Sequence, residues 1–308
     1  MEKKKIELYK VRSFSDKVND TFTFLSENFK VLLKYLTYFL LPLSLLQAVA
    51  LNGYMGGAMS MSANPGADLD FNDMGSLFTS LGGYMLLYMV GALLMVSVVY
   101  ALMRLYQRRE NRLCDLTWEE LKPELSFVAR RSLKLTLFGI LVGAVLMALM
   151  VLPLVSGYLL LAFFVWMVMF VVAIPMMLFY PVYLFEDKST LLGAFRKSYH
   201  LGFPTWGGIL GIMLLLGFIA SMVQGMVSIP WYIAIFFKMF LGAQGTEDSF
   251  VNSVGYSFLV YLFSVIQTYG AFLAYSITFI GLAIQYGHAS EKVDGVTVEK
   301  DIEHFEDL

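Results

Sequence analysis

Apolar positions along this chain gather into six long runs. Between the runs lie shorter segments where apolar and charged residues alternate at helical spacing. The runs cover roughly residues 28–53, 77–103, 133–153, 158–185, 206–229 and 256–287. A helix needs about 20 apolar residues to cross a hydrocarbon core about 30 Å thick, and each run is long enough. From Leu133 to Phe185 the only charge is Lys134. As one helix that stretch would measure about 75 Å, so it must fold back once. Pro153, Ser156 and Gly157 mark the turn. The pattern predicts an all-α polytopic membrane helix bundle with six transmembrane helices.

Three of the intervening segments predict amphipathic helices at the cytoplasmic interface. The first opens at Ser13 and carries Phe14, Val18, Phe22, Leu25 and Phe29 on one face, with Asp16, Lys17, Asp20 and Glu27 on the other. The second opens at Thr117, where Thr-Trp-Glu-Glu has capping-box spacing, and its stripe is Trp118, Leu121, Leu125 and Val128. The third opens at Ser189, with Leu192, Phe195 and Tyr199 expected inward and Lys188, Arg196 and Lys197 outward. Each is followed by a run bearing a proline towards its outer end, Pro42, Pro153 or Pro230, and then by a returning run. Three helix–span–span units follow, at about 13–103, 117–185 and 189–287. They form a single transmembrane domain over residues 1–290, with an acidic cytoplasmic tail at 291–308. WYIAIFFKMFL, after Pro230, is too short to span and reads as a separate interfacial helix. In the third run, Gly139 with Gly143 and Ala144 with Ala148 predict close helix contact. Residues 1–12 are basic and expected to fray.

Composition supports a membrane chain: 58% of the residues are apolar and 15% charged, against about 45–50% and about 25% in soluble domains. The distribution of charge sets the expected orientation. With both termini cytoplasmic, every one of the 22 lysines and arginines except Lys238 falls on the cytoplasmic side or at its edge. The expected location is the bacterial cytoplasmic (inner) membrane. Ala48-Val49-Ala50 resembles a signal-peptidase site, but the charged region ahead of it is far longer than a signal peptide's. An outer loop holds the Asn64-Pro65-Gly66 turn and Asp68, Asp70 and Asp73, which read as solvated polarity without EF-hand spacing. Gly242–Asp248 reads as a second polar outer loop. Cys114 is the only cysteine and is expected to be an inert thiol in a cytoplasmic loop.

Candidate chemistry is sparse. None of the three histidines lies within a run, and HExxH, GxSxG and P-loop patterns are missing. No catalytic constellation, metal or cofactor is expected. No acidic residue sits in the middle of a run, where ion-coupled transporters commonly place one. Uncharged polar residues do form stripes. In the sixth run Ser257, Tyr261, Ser264, Thr268, Tyr275 and Thr278 share a heptad-spaced face, and the fifth run shows Gly217, Ser221, Gln224 and Ser228. Helix packing accounts for such stripes. The alternative is a polar cavity, with Gln47, Ser221, Gln224, Ser264, Gln267, Thr268 and Tyr275 as its candidate residues. Glu186 is a candidate structural anchor, pairing with Arg196 or Lys197 or facing the N-terminus of the third amphipathic helix.

The PVYLFE stretch at Pro181–Glu186, GAFRKS at Gly193–Ser198, Leu201-Gly202 and Trp206 form a pattern, and ENFKVLLKYLTYFLLP near the N-terminus belongs with it. This pattern resembles the membrane domain attached to some bacterial glycerophosphodiester phosphodiesterases, and the stand-alone YciC-type inner-membrane proteins. The resemblance implies a bacterial multi-pass protein with amphipathic cytoplasmic helices. It does not imply phosphodiesterase activity, because those enzymes' catalytic barrel has no counterpart in these residues. The expected function is a non-enzymatic role in envelope or lipid organisation. The alternative is a transporter or channel for a lipid or small solute, built on the polar stripes of spans five and six. Membrane lipids are the expected partners and nucleic acid is not. The acidic tail is a possible docking peptide for a protein.

Overall fold

Residues 5–63, 71–242 and 250–297 are described by the structure, a computed structural model. It is all-α, with no strand among the described residues. The helices are α1 (Phe14–Ala63), α2 (Phe71–Arg108), α3 (Trp118–Val155), α4 (Leu159–Met176), α5 (Phe179–Phe185), α6 (Leu191–Gly202), α7 (Trp206–Gly242) and α8 (Val254–Asp294), with a 3₁₀ turn at Phe250–Asn252. Six helical stretches are long and apolar enough to cross a membrane: α1, α2, α3, α4 with α5, α7 and α8. The protein is therefore a multi-pass membrane protein. The Asn64-Pro65-Gly66 turn, Asp68 and Asp70, the loop at 243–249, the tail beyond 297 and residues 1–4 lie outside the described residues.

The amphipathic segments are helical, but two of them run straight into a span. α1 continues unbroken from Phe14 through Pro42 for 50 residues, or about 75 Å. α3 likewise joins the second segment to the third span. Only the third segment, α6, is separate, and its N-cap is Thr190 rather than Ser189: Gly193 N donates to Thr190 Oγ1 at 3.1 Å. At the start of α1, Ser13 Oγ accepts from Asp16 N at 3.1 Å while Asp16 Oδ2 accepts from Ser13 N at 3.2 Å. At α3 the expected capping box forms, with Thr117 N donating to Glu120 Oε2 at 3.2 Å.

The buried face differs from expectation in the third segment. In α3, Leu121, Leu125 and Val128 are buried as expected, although Trp118 is exposed. In α1, Lys17, Thr21, Phe24 and Asn28 are buried, Val18, Phe22 and Leu25 are half-buried, and Phe14 and Phe29 are exposed. In α6 the buried residues are Ala194, Ser198, Leu201 and Gly202, and Leu192 is exposed. An apolar stripe on a membrane protein can face lipid, so its existence does not say which side the protein covers.

Three other corrections concern the spans. Pro230 lies inside α7, so WYIAIFFKMFL is not a separate interfacial helix. Trp231, Ala234 and Ile235 are buried with Leu51, Val251, Tyr256 and Val260, and Tyr256 Oη donates to the Ala234 carbonyl at 2.7 Å. The fourth span is broken after Pro175 into α4 and α5. A Cβ at Gly139 or Gly143 would meet nothing within 4 Å, so the small residues of α3 make no close helix contact among the described residues. The α3–α4 turn does form as expected: Gly157 has φ +78, and Tyr158 N donates to the Pro153 carbonyl at 3.0 Å.

Contacts divide the chain into two compact units. The first takes the residues up to Leu32, Val96–Gly217 and those from Ile277; the second takes Leu33–Met95 and Phe218–Ser276. In the first unit the N-terminal segment is pinned rather than frayed. Ile6 N donates to Tyr106 Oη at 3.1 Å, Gln107 Nε2 to the Ile6 carbonyl at 3.0 Å, and Arg12 N to His288 Nδ1 at 3.0 Å. Glu291–Asp294 complete α8 instead of opening a solvated tail.

Candidate functional site

The second unit contains a partly open cavity of about 320 Å³. α1 contributes Gln47; α2 contributes Tyr84, Met85 and Tyr88; α7 contributes Gln224; α8 contributes Gln267, Thr268, Ala271 and Tyr275. The α8 residues recur at i, i+4 and i+8 and so share one face. Two glycines let the helices approach closely around it. A Cβ at Gly270 would lie 2.5 Å from Val227 Cγ1, and one at Gly91 would lie 2.3 Å from Phe272 Cζ.

Among the described residues the lining holds several polar side chains and no charged one. Gln47 is only 1% exposed, yet neither its Nε2 nor its Oε1 has a hydrogen-bond partner. Gln267 Oε1 is buried and unpartnered as well. Gln224 is partly satisfied within its own helix: its Nε2 donates to Ser228 Oγ at 3.0 Å. Thr268 Oγ1 donates to the Ser264 carbonyl at 2.9 Å, which leaves its lone pairs for other partners. A buried amide without partners costs about 1–3 kcal/mol. Unmet amide atoms of Gln47 and Gln267 therefore belong to the residues that wall the cavity.

Five of the seven residues expected to form a polar cavity line this one: Gln47, Gln224, Gln267, Thr268 and Tyr275. Two do not. Ser221 is exposed on α7. Ser264 is fully buried but engaged elsewhere, accepting from Asn52 Nδ2 at 2.9 Å and donating to the Tyr261 carbonyl at 2.7 Å. Sequence reasoning missed Tyr84, Met85 and Tyr88. The available signal was the i, i+4 pair of tyrosines in the second span.

The candidate anchor lies in the first unit. Glu186 Oε1 pairs with Lys197 Nζ at 2.9 Å and accepts from Tyr286 Oη at 3.0 Å. Lys197 also reaches Asp294 Oδ2 at 3.2 Å, and His200 Nε2 sits 3.2 Å from Asp294 Oδ1. Burial alone would lower the Lys197 pKa, but Glu186 and then Asp294 outweigh it and the pKa is raised. Arg196 is exposed and joins no ion pair among the described residues. A larger network escaped the sequence. Arg104, 4% exposed, is held by Glu124, by the Leu184 carbonyl and by Asp187 Oδ1 at 2.7 Å. Arg131 donates to the carbonyls of Asp187 at 2.6 Å and of Glu186 and Ser189 at 3.0 Å, and stacks 4.0 Å from the centre of the Tyr183 ring. These arginines tie α2, α3 and the α5–α6 link together. No three His, Cys, Asp or Glu side chains among the described residues are grouped to hold a metal ion. Compared with protein-family models, curated proteins and solved structures, the chain matches none.

Proposed function

We propose that this is a non-enzymatic binding protein of the bacterial cytoplasmic membrane, with both termini cytoplasmic. It takes a lipid headgroup or small polar solute into the cavity of the second unit and serves envelope or lipid organisation. The carrying observation is Gln47: a buried carboxamide with both polar atoms unmet, on the wall of a cavity that also holds the unmet Gln267 oxygen. Such a group is costly to bury without a partner, and a ligand would satisfy it. The exposed apolar side chains Phe14, Phe29, Trp118 and Leu192 on the amphipathic segments supply contact with lipid. Passage of the bound group across the membrane is a second reading, favoured because the cavity is walled by four membrane-crossing helices.

Native mass spectrometry of gently extracted protein tests the first reading. Wild type is expected to retain a bound species that Gln47→Leu loses. Equal retention by the two proteins, or none by either, would overturn it.

A further inference from the structure

The cavity lining narrows the chemistry of the ligand, and this step rests on the binding function proposed above. No Asp, Glu, Lys, Arg or His lines the cavity among the described residues. A full charge placed there would be desolvated without a counter-ion, which is strongly unfavourable. An aromatic cage for a quaternary ammonium is also a poor fit, because one face of Tyr88 is already stacked on Phe272, with ring centroids 5.6 Å apart. The unmet groups are instead carboxamides, which set a donor and an acceptor side by side. Their natural complement is a pair of neighbouring groups that each donate and accept, as vicinal hydroxyls do.

The distribution of polar groups points the same way. Gln47, Gln224, Gln267, Thr268 and the tyrosines come from four helices, so they surround the space rather than crown one edge of it. The unmet atoms among them are Gln47 Nε2 and Oε1 and Gln267 Oε1, on two helices, and a single hydroxyl supplies only one donor for the two oxygens. Several hydroxyls on one small frame would answer them from all sides, while the rings of Tyr84 and Tyr275 offer apolar faces to its C–H groups. The volume of about 320 Å³ lies at the small end of ligand cavities. We infer that the cavity binds one uncharged, hydroxyl-rich group, either the sugar headgroup of a neutral glycolipid or a free polyol of that size.

The test uses the full-length protein in lipid nanodiscs, with thermal unfolding as the readout. One arm adds a neutral monoglycosyl diacylglycerol to the disc; a second adds free glucose or myo-inositol in solution; a third adds phosphatidylglycerol with the same acyl chains. A rise in midpoint in the first arm alone identifies a lipid headgroup, and a rise in the second identifies a free polyol. Either rise should need about tenfold more ligand in Gln47→Leu and in Gln267→Leu, the loss expected for about one hydrogen bond. Ser221→Ala, outside the cavity, should behave as wild type. Two glutamine variants on different helices guard against one failing to fold.

A rise with phosphatidylglycerol that depends on Gln47 would overturn the neutral-polyol inference and leave the binding function standing. No rise in any arm, together with no retained species in the mass spectrum, would overturn both. A rise that persists unchanged in the two glutamine variants would place the binding elsewhere and refute the inference.

Discussion

Gln47 and Arg104 are both buried polar side chains, and they differ in whether their hydrogen bonds are met. Arg104 has two carboxylates and a carbonyl around its guanidinium. Breaking a buried pair by removing one partner costs about 3–5 kcal/mol, because the remaining charges stay buried. Arg104→Met should therefore lower the thermal midpoint sharply in detergent. Arg104→Lys should rescue little, since one ammonium cannot reproduce a fork that reaches three acceptors. Gln47 has no partner to lose. Gln47→Leu should abolish ligand retention and raise the stability of the ligand-free protein by roughly 1 kcal/mol, a gain visible as a higher midpoint in extracted protein. Lys197 lies between these cases, one-third exposed beside Glu186 and Asp294. Its folded pKa is raised above the ordinary 10.5. Its stabilisation is then complete below pH 10.5 and is lost as pH rises through the folded value. Lys197→Met should cost about 0.2–1 kcal/mol at pH 7, and unfolding curves of variant and wild type should converge once the pH exceeds the raised folded pKa.

Helices in this chain are positioned by close approaches that a sequence states only as glycines. A Cβ at Gly202 in α6 would fall 2.6 Å from Pro175 Cα, a backbone atom that cannot step aside. Gly202→Ala should therefore separate α6 from α4 and lower the thermal midpoint. Gly139→Ala, in open space, should leave the midpoint near wild type. At Gly157 the difficulty is conformational, since φ +78 disfavours any side chain, by roughly 1–2 kcal/mol. The contrast shows what was legible. The turn at Gly157 could be read because proline, serine and glycine interrupt an otherwise unbroken apolar run. Gly139 and Gly143 have the right spacing for a helix contact, but among the described residues nothing lies within 4 Å of a Cβ at either. The α1 stripe was legible as a stripe and not as a direction. In water its apolar side must be the buried one; beside lipid it need not be, and the structure buries Lys17, Thr21, Phe24 and Asn28 while Phe14 and Phe29 stay exposed.

For the molecule as a whole, the number of crossings follows from length and hydropathy, which are local quantities, and all six are present. The cavity needed more than local information. Gln224, Gln267, Thr268 and Tyr275 could be grouped by helical spacing, but Tyr84 and Tyr88 reach them only through the packing of α2 against α8 at Gly91. Orientation is a property of the same scale, and Cys114 offers a direct measurement. It is the only cysteine and it is exposed in the basic link between α2 and α3. If the basic side is cytoplasmic, as we propose from the distribution of lysine and arginine, a membrane-impermeant maleimide should leave Cys114 unmodified in intact cells and label it in inverted membrane vesicles. Ser156→Cys in a Cys114→Ser background places the probe at the α3–α4 turn, one span away, and should show the reverse pattern. Labelling of Cys114 from outside intact cells would invert the topology and place the basic cluster around Arg108 on the outer face.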